Sequence, residues 1–300
     1  MKTIFLDLNE NIPSFDKLAI ALGNFDSMHL GHQRLLIETS LSDEPYSSIL
    51  LFDPPSPFKG EGVICSLEDK LLVASKLRLD YAFVIKTNDE FWKLNKDEFI
   101  SKLLLPLGVS SIYCGSDFRF GKDGAGSIAD LKSIFNVKEV DFILDDDKKI
   151  SSSNLKTLIK VGDMEKVSSL LGRHYEIKGK VEEGFHNGRK IGFPTANLRL
   201  VSPYIMPKNG VYGGISYVNG IPYLSLVNVG TNPTIGELVN PKVETHLLNF
   251  NGNLYGSTLY LSFLYYIREE MKFASLDELK SQIEKDKLQI QDKWEEMQNE

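Results

Sequence analysis

The sequence predicts two folds in series: an α/β domain on a mostly parallel sheet with helices on both faces, then a small antiparallel β-barrel closed by a C-terminal helix. Up to Leu171, short apolar runs alternate with helical stretches. From Tyr175 onward, strand follows strand with hairpin signals between them. No internal repeat or low-complexity linker separates the two patterns, so the domains are expected to join tightly at 172/173, as residues 1–172 and 173–300.

In the first domain the strands are expected at residues 4–8, 18–22, 48–52, 81–85, 111–114 and 139–143. Helices are expected from about Leu30 to Leu41, over 67–77 with Ser66 as N-cap, and over 96–105, 128–135 and 153–171. This order gives a Rossmann-like sheet, and such sheets bind ligands at the carboxyl ends of their strands. In the second domain Asn219-Gly220 and Asn251-Gly252 carry the chemistry of hairpin turns. Residues 258–263 alternate as a half-buried strand should. Ser275 and Glu278 have capping-box spacing, and Leu276, Leu279, Ile283 and Ile290 share one face of the last helix.

Composition narrows the function. The chain has 300 residues, 42% of them hydrophobic and 25% charged, enough for two proper cores. A net charge of −7 argues against nucleic-acid or anionic-membrane binding, which needs a positive surface. A small anionic substrate needs only local positive charge. Cys65 and Cys114 are the only cysteines and lack C-x-x-C spacing, which fits a reducing cytosol. The N-terminal apolar segment is too short for a signal peptide and no run reaches membrane-spanning length, so the protein is expected to be soluble and cytoplasmic.

The stretch Gly23-Asn24-Phe25-Asp26-Ser27-Met28-His29-Leu30-Gly31-His32 lies at a strand-to-helix crossing. Backbone N–H groups in a helix's first turn are unpaired and stand at the positive end of its dipole, so an anion is welcome there. His29 and His32 would face that anion, and Gly31 removes a side chain where a nucleotide would approach. The spacing is neither Walker-A nor G-x-G-x-x-G. Gly115-Ser116-Asp117-Phe118-Arg119-Phe120-Gly121-Lys122 follows a strand and reads equally well as a phosphate-facing loop or a surface turn. In Ile150-Ser151-Ser152-Ser153-Asn154-Leu155-Lys156 a serine N-cap explains the serines without function, and Phe52-Asp53-Pro54-Pro55-Ser56-Pro57 is a rigid turn.

In the second half, the basic glycine-spaced run from Gly184 through Gly192 to Asn197 reads either as a loop over nucleotide phosphates or as a plain hairpin. Thr195 and Asn197 alternate onto one face, where a hydroxyl and an amide oxygen suit Mg²⁺ carrying ATP phosphates. Glu244, in Pro241-Lys242-Val243-Glu244-Thr245-His246-Leu247-Leu248, is either a proton acceptor or a solvated strand-end charge. Arg268 either stacks on a planar ligand or pairs in solvent with Glu269 and Glu270.

His29-Leu30-Gly31-His32 resembles the nucleotidyltransferase signature. With Gly192-Phe193-Pro194-Thr195-Ala196-Asn197, Asn228-Val229-Gly230-Thr231-Asn232-Pro233-Thr234, Glu244-Thr245-His246-Leu247-Leu248 and Ile267-Arg268-Glu269-Glu270 in order, the chain resembles from end to end the bacterial bifunctional riboflavin kinase/FAD synthetase family. The resemblance implies an amino-terminal FMN adenylyltransferase of nucleotidyltransferase type and a carboxy-terminal flavokinase barrel. ATP would phosphorylate riboflavin to FMN, and a second ATP would adenylylate FMN to FAD with loss of pyrophosphate. Riboflavin, FMN and ATP are the implied partners, with Mg²⁺ as cofactor; no nucleic-acid or membrane partner is expected, and a homo-oligomer is left open. His29 and His32 would stabilise the ATP α-phosphate, and Glu244 would be the kinase base. Thr195 and Asn197 would hold Mg²⁺-ATP, Asp117 would sit in the flavin and nucleotide pocket, and Arg268 near the flavin. Gly23, Asn24, Phe25, Asp26, Gly31, Ser152, Lys156 and Gly192 would also bind substrate.

The first domain departs from the family pattern at three places. Ser27-Met28 stands where the family commonly has glycine and a β-branched residue, Pro54-Pro55-Ser56-Pro57 stands for the usual Pro-His-Pro and lacks its histidine, and Lys156 replaces an arginine. Two other readings therefore stand beside the bifunctional enzyme: a riboflavin kinase whose first domain binds nucleotide but turns over poorly, and a non-catalytic flavin-binding module.

Overall fold

The computed structural model of the chain describes residues 1–54, 62–183, 192–232 and 240–299. Pro55, Ser56 and Pro57, the basic loop 184–191, and Pro233 and Thr234 lie outside the described residues. The chain divides into two compact units, Met1–Ser152 and Ser153–Glu300.

The first unit is a six-stranded parallel sheet of β1 (Lys2–Leu6), β2 (Leu18–Leu22), β3 (Tyr46–Asp53), β4 (Tyr81–Lys86), β5 (Val109–Gly115) and β6 (Asn136–Val140), in the order β1-β4-β3-β2-β5-β6. Its helices are α1 (Leu30–Ser40), α2 (Leu67–Lys76), α3 (Lys96–Phe99) and α4 (Ile128–Lys132). Every residue of β2 is buried, as expected of a strand covered on both faces. Leu18, Ile20 and Leu22 pack with Phe99, Leu103, Leu104 and Leu107. From β2 the order runs one way through β3 and β4, while β5 pairs on the other side of β2, with Leu22 opposite Cys114. The carboxyl ends of β2 and β5 thus flank the switch point where such sheets bind ligands. The Gly23 loop leaves one of them and the Gly115 loop the other.

Several boundaries differ from expectation. The first strand is Lys2–Leu6 rather than 4–8. Edge strand β6 begins and ends three residues earlier than 139–143, because its partner β5 already starts at Val109 and Ser111 pairs with Asn136. Residues beyond it turn into a small hairpin of β7 (Leu144–Asp145) and β8 (Lys148–Lys149) that the sequence reading lacked. The helix expected over 96–105 widens into a π-turn at Ile100–Leu104, where the Leu105 N–H reaches back five residues to the Ile100 carbonyl. The helix expected over 128–135 stops at Lys132.

The helix expected over 153–171 is two helices, α5 (Ser152–Val161) and α6 (Met164–Leu171). Gly162 takes a left-handed φ of 82°, and the Asp163 carboxylate accepts the Lys166 N–H at 3.1 Å as a fresh N-cap.

Six antiparallel strands then close a barrel: β9 (Tyr175–Glu182), β10 (Ala196–Leu200), β11 (Gly210–Val218), β12 (Ile221–Asn232), β13 (Asn240–Leu247) and β14 (Thr258–Arg268), in the order β10-β13-β12-β11-β14-β9 with β9 pairing back to β10. Val227, Val229, Val243, Leu259, Leu261 and Phe263 are buried within it. Asn219 and Gly220, at φ 49° and 81°, make the two-residue turn between β11 and β12. Asn251-Gly252 makes no such hairpin: it lies in the connection 248–257, and the strands on either side, β13 and β14, are not neighbours in the barrel. A final helix, α7 (Leu276–Asn299), lays Ile283 and Ile290 on Val211 and Leu226. The Glu278 N–H bonds the Ser275 hydroxyl at 3.2 Å, while the Glu278 carboxylate accepts from Ala274. Leu276 does not join the apolar face; it is exposed. No described helix is long and apolar enough to cross a membrane.

Candidate functional site

In the first unit the Gly23 loop is held in a strained conformation from several sides. Phe25 and Met28 both adopt left-handed φ, 45° and 51°, and both side chains are fully buried. The Ser27 carbonyl accepts from the Cys65 thiol at 3.3 Å, and the Ser27 hydroxyl meets that of Ser152 at 3.1 Å. The Met28 carbonyl accepts from the Gln33 amide at 2.9 Å. Ser152, a cap or a substrate-binding residue in the sequence reading, thus stands beside the Gly23 loop. Lys156 lies one turn further along α5, on the same face.

His29 is the N-cap of α1: its Nδ1 accepts the His32 N–H at 3.2 Å. A neutral imidazole with Nδ1 so occupied carries its proton on Nε2, which is then a donor. The His32 ring stacks on it at 3.8 Å and 12° between planes, and the Phe25 edge backs His32 at 5.3 Å. Gly31 permits this stack, since a Cβ there would stand 3.0 Å from His29 Cε1. The first turn of α1 holds no acidic residue to repel an anion. Asp26 is buried in the same loop, while Asn24 is exposed and Gly23 partly so.

Across the switch point, Asp117 is exposed and pairs with Lys149, whose ammonium also lies 3.7 Å above the Phe142 ring. Phe142 and Lys149 were missed by sequence reasoning. They belong to the unforeseen β7–β8 hairpin and its approach.

In the barrel the register sets Asn197 opposite Glu244, and Glu244 opposite Asn228. These three side chains therefore share one face across β10, β13 and β12. Val243 and Thr245, alternating with Glu244, are buried inside, so Glu244 points outward. It is neither at the strand's end nor fully solvated: Lys242, two residues back on the same face, holds its Oε1 at 2.9 Å. The alternation of β13 was enough to foresee Lys242, had the lysine been counted. Asn228 donates to Glu270 at 3.1 Å. Thr195 stands exposed just before β10, and Gly192 takes φ 87° three residues earlier. A cavity of about 360 Å³ opens beside Thr195, lined also by Pro194, Leu247, Phe250, Asn253 and Tyr255.

Arg268 does not pair with its neighbours' carboxylates. Its guanidinium forks onto Asp286 of α7, with Nη2 to Oδ2 at 2.7 Å and Nε at 3.1 Å, and Nη1 donates to the Glu269 carbonyl. Asp286 is 2% exposed and also accepts from Gln282. Removing one partner of such a pair leaves a buried charge without compensation. Asp286→Ala is expected to destabilise the barrel unit by about 3 kcal/mol, read by urea unfolding; a loss below about 1 kcal/mol would contradict the pairing's importance.

The chain is similar to known proteins over nearly its whole length. The riboflavin kinase family profile matches residues 171–294 and the FAD synthetase profile residues 12–154. The bifunctional riboflavin kinase/FMN adenylyltransferase of Bacillus subtilis is 37% identical over 286 residues, 90% of either chain. The protein of the same name from Listeria monocytogenes is 33% identical over 95% of this chain and 96% of its own. A crystal structure described as a macrolide-efflux protein from Streptococcus pneumoniae matches with a TM-score of 0.86 at 27% identity, covering 96% of this chain and 98% of that one. With both profiles matched in order and relatives so similar over nearly their whole length, the chain belongs to the family of bifunctional riboflavin kinase/FMN adenylyltransferases.

Proposed function

We propose that this chain phosphorylates riboflavin to FMN with ATP and then adenylylates FMN to FAD with a second ATP, releasing pyrophosphate. The observation that carries this reading is the presence, in one chain, of a His29/His32 stack at a helix N-terminus in the parallel-sheet unit and the Asn197–Glu244–Asn228 row on the barrel. The first suits an anion that gains charge in an in-line displacement, and the second suits deprotonation of a hydroxyl.

In the kinase step Glu244 accepts the proton of the riboflavin 5′-hydroxyl as that oxygen attacks the ATP γ-phosphorus, and ADP leaves. Lys242 keeps the Glu244 carboxylate oriented on the outer face. Thr195 and Asn197 offer two hard oxygens with open space around them, which fits Mg²⁺, an ion that keeps several waters and binds phosphates through few protein ligands. Mg²⁺ supplies charge neutralisation of the ATP phosphates when bound. The cavity beside Thr195 takes the nucleotide, and Arg268 borders the flavin.

In the adenylyl step an FMN phosphate oxygen attacks the α-phosphorus of ATP and pyrophosphate departs. His29 and His32 donate to the α-phosphate oxygens as charge builds there. Gly23, Asn24, Phe25, Asp26 and Gly31 shape the approach, Asp117 lines the pocket, and Ser152 and Lys156 support the phosphates. The adenylyltransferase segment is taken as 1–172 and the kinase as 173–300, although α6 packs on β9 and β14 of the barrel. The pair of cysteines without C-x-x-C spacing supports a cytoplasmic enzyme.

The adenylyl step is tested by supplying FMN, ATP and Mg²⁺ and measuring FAD and pyrophosphate, which are expected in equal amounts. A second reading, a kinase whose first domain binds nucleotide but turns over poorly, rests on Lys156, which lacks the forked contact of an arginine. Absence of FAD under all conditions would favour it. Gly31→Ala is expected to cut FAD formation about tenfold or more by pushing the His29 ring off its 3.2 Å cap, while FMN formation is unchanged. Undiminished FAD output would argue against the ring stack as the reactive arrangement.

A further inference from the structure

Two residues beyond Glu244 on the same face of β13 stands His246, to which nothing above gives a task. It is half-buried, and its Nδ1 lies 2.8 Å from the carbonyl oxygen of Pro194. A carbonyl only accepts, so Nδ1 carries the proton. The buried ring of Phe193 meets the imidazole edge to face at 5.4 Å and 78°. Burial pushes the imidazole's pKa below its ordinary value, the Pro194 carbonyl and then Glu284 opposing and Lys287 acting in the same direction, so the ring is neutral near pH 7.

The place of this contact gives it meaning. The β10–β13 ladder starts at Ala196 opposite Thr245, and the next residues outward are Thr195 and His246. Thr195 is therefore the first residue beyond the paired strand, exposed at the rim of the 360 Å³ cavity. The His246 bond grips the chain one residue ahead of it, at a proline that has no N–H of its own to anchor. Held by the ladder behind and by His246 in front, Thr195 has a defined place.

We propose that His246 is a positioning residue of the kinase site: through the Pro194 carbonyl it sets Thr195, and hence the affinity for a nucleoside triphosphate carrying a divalent cation. This rests on the reading of Thr195 and Asn197 as nucleotide ligands.

The test measures FMN formation by the full chain with KM for Mg²⁺-ATP and for riboflavin taken separately. His246→Leu, which loses the donor, is expected to raise KM for Mg²⁺-ATP about tenfold or more, with a smaller fall in kcat and an unchanged riboflavin KM. His246→Asn, whose amide nitrogen falls near the Nδ1 position, is expected to recover most of the loss. His246→Gln, whose amide falls nearer Nε2, is not, and it replaces the leucine variant if that one fails to fold. A wild-type ATP KM in both the leucine and glutamine variants, an asparagine variant as impaired as leucine, or an effect on the riboflavin KM alone would each overturn the proposal. Failure of the wild-type chain to form FMN at all would instead overturn the kinase reading on which it rests.

Discussion

Glu244→Gln is expected to abolish FMN formation from riboflavin while leaving FAD formation from supplied FMN intact. The amide keeps the size of the side chain but cannot take up the hydroxyl proton, and loss of a positioned general base costs on the order of 10²–10⁴-fold in rate. The substitution also leaves Lys242, now 2.9 Å from the carboxylate, beside a neutral group. Glu244 sits in the barrel, and the histidine pair in the parallel-sheet unit, so the two activities should part cleanly. High-performance separation of the flavins after incubation with ATP and Mg²⁺ reads both. Loss of the two activities together in a folded variant would contradict the assignment.

The second large effect is expected from replacing His29 and His32 together by alanine. Each removed donor to a charge-bearing oxygen costs on the order of 10²–10³-fold, so FAD formation should fall by several orders of magnitude. The His29 change also removes the N-cap of α1, worth about 1 kcal/mol. That is small against the catalytic loss and separable from it: His29→Asn restores a cap acceptor without restoring the imidazole. FMN formation is expected to be unaffected. Unchanged FAD output would retire the histidine assignment.

How far the sequence could be read depended on whether the deciding contact was local. The strand at 18–22 was placed to the residue, because five apolar positions end at a glycine and the strand is buried on both faces. The crossing to α1 followed, and with it the site of the histidines. Little local announced that Phe25 and Met28 would take left-handed φ, because beside the nearby Gln33 the strain is held in place by Cys65 and Ser152 from elsewhere in the chain. Asp286 is the plainest case. A charged residue in a highly charged helix reads as solvated, and only its contact with Arg268, eighteen residues earlier, makes it the buried anchor it is. Asn251-Gly252 failed for the opposite reason: the dipeptide is a sound local turn signal, but which strands pair is set by barrel topology. Gly162 was a readable breaker that the apolar spacing on either side concealed. On the barrel, Thr195, Asn197 and Glu244 could each be singled out from the sequence as candidates. Their assembly with Lys242, Asn228 and His246 required the register of β10, β13 and β12.

The central claim, that one chain carries out both transfers in sequence, is tested most directly by following phosphorus from ATP into flavin. Purified chain is incubated with riboflavin, Mg²⁺ and ATP labelled at either the γ- or the α-phosphorus, and the flavins are resolved over time. The account predicts that γ-label enters FMN first and then FAD, and that α-label enters FAD alone. If α-label never entered a flavin, the second transfer would be contradicted; if neither label did, both would be.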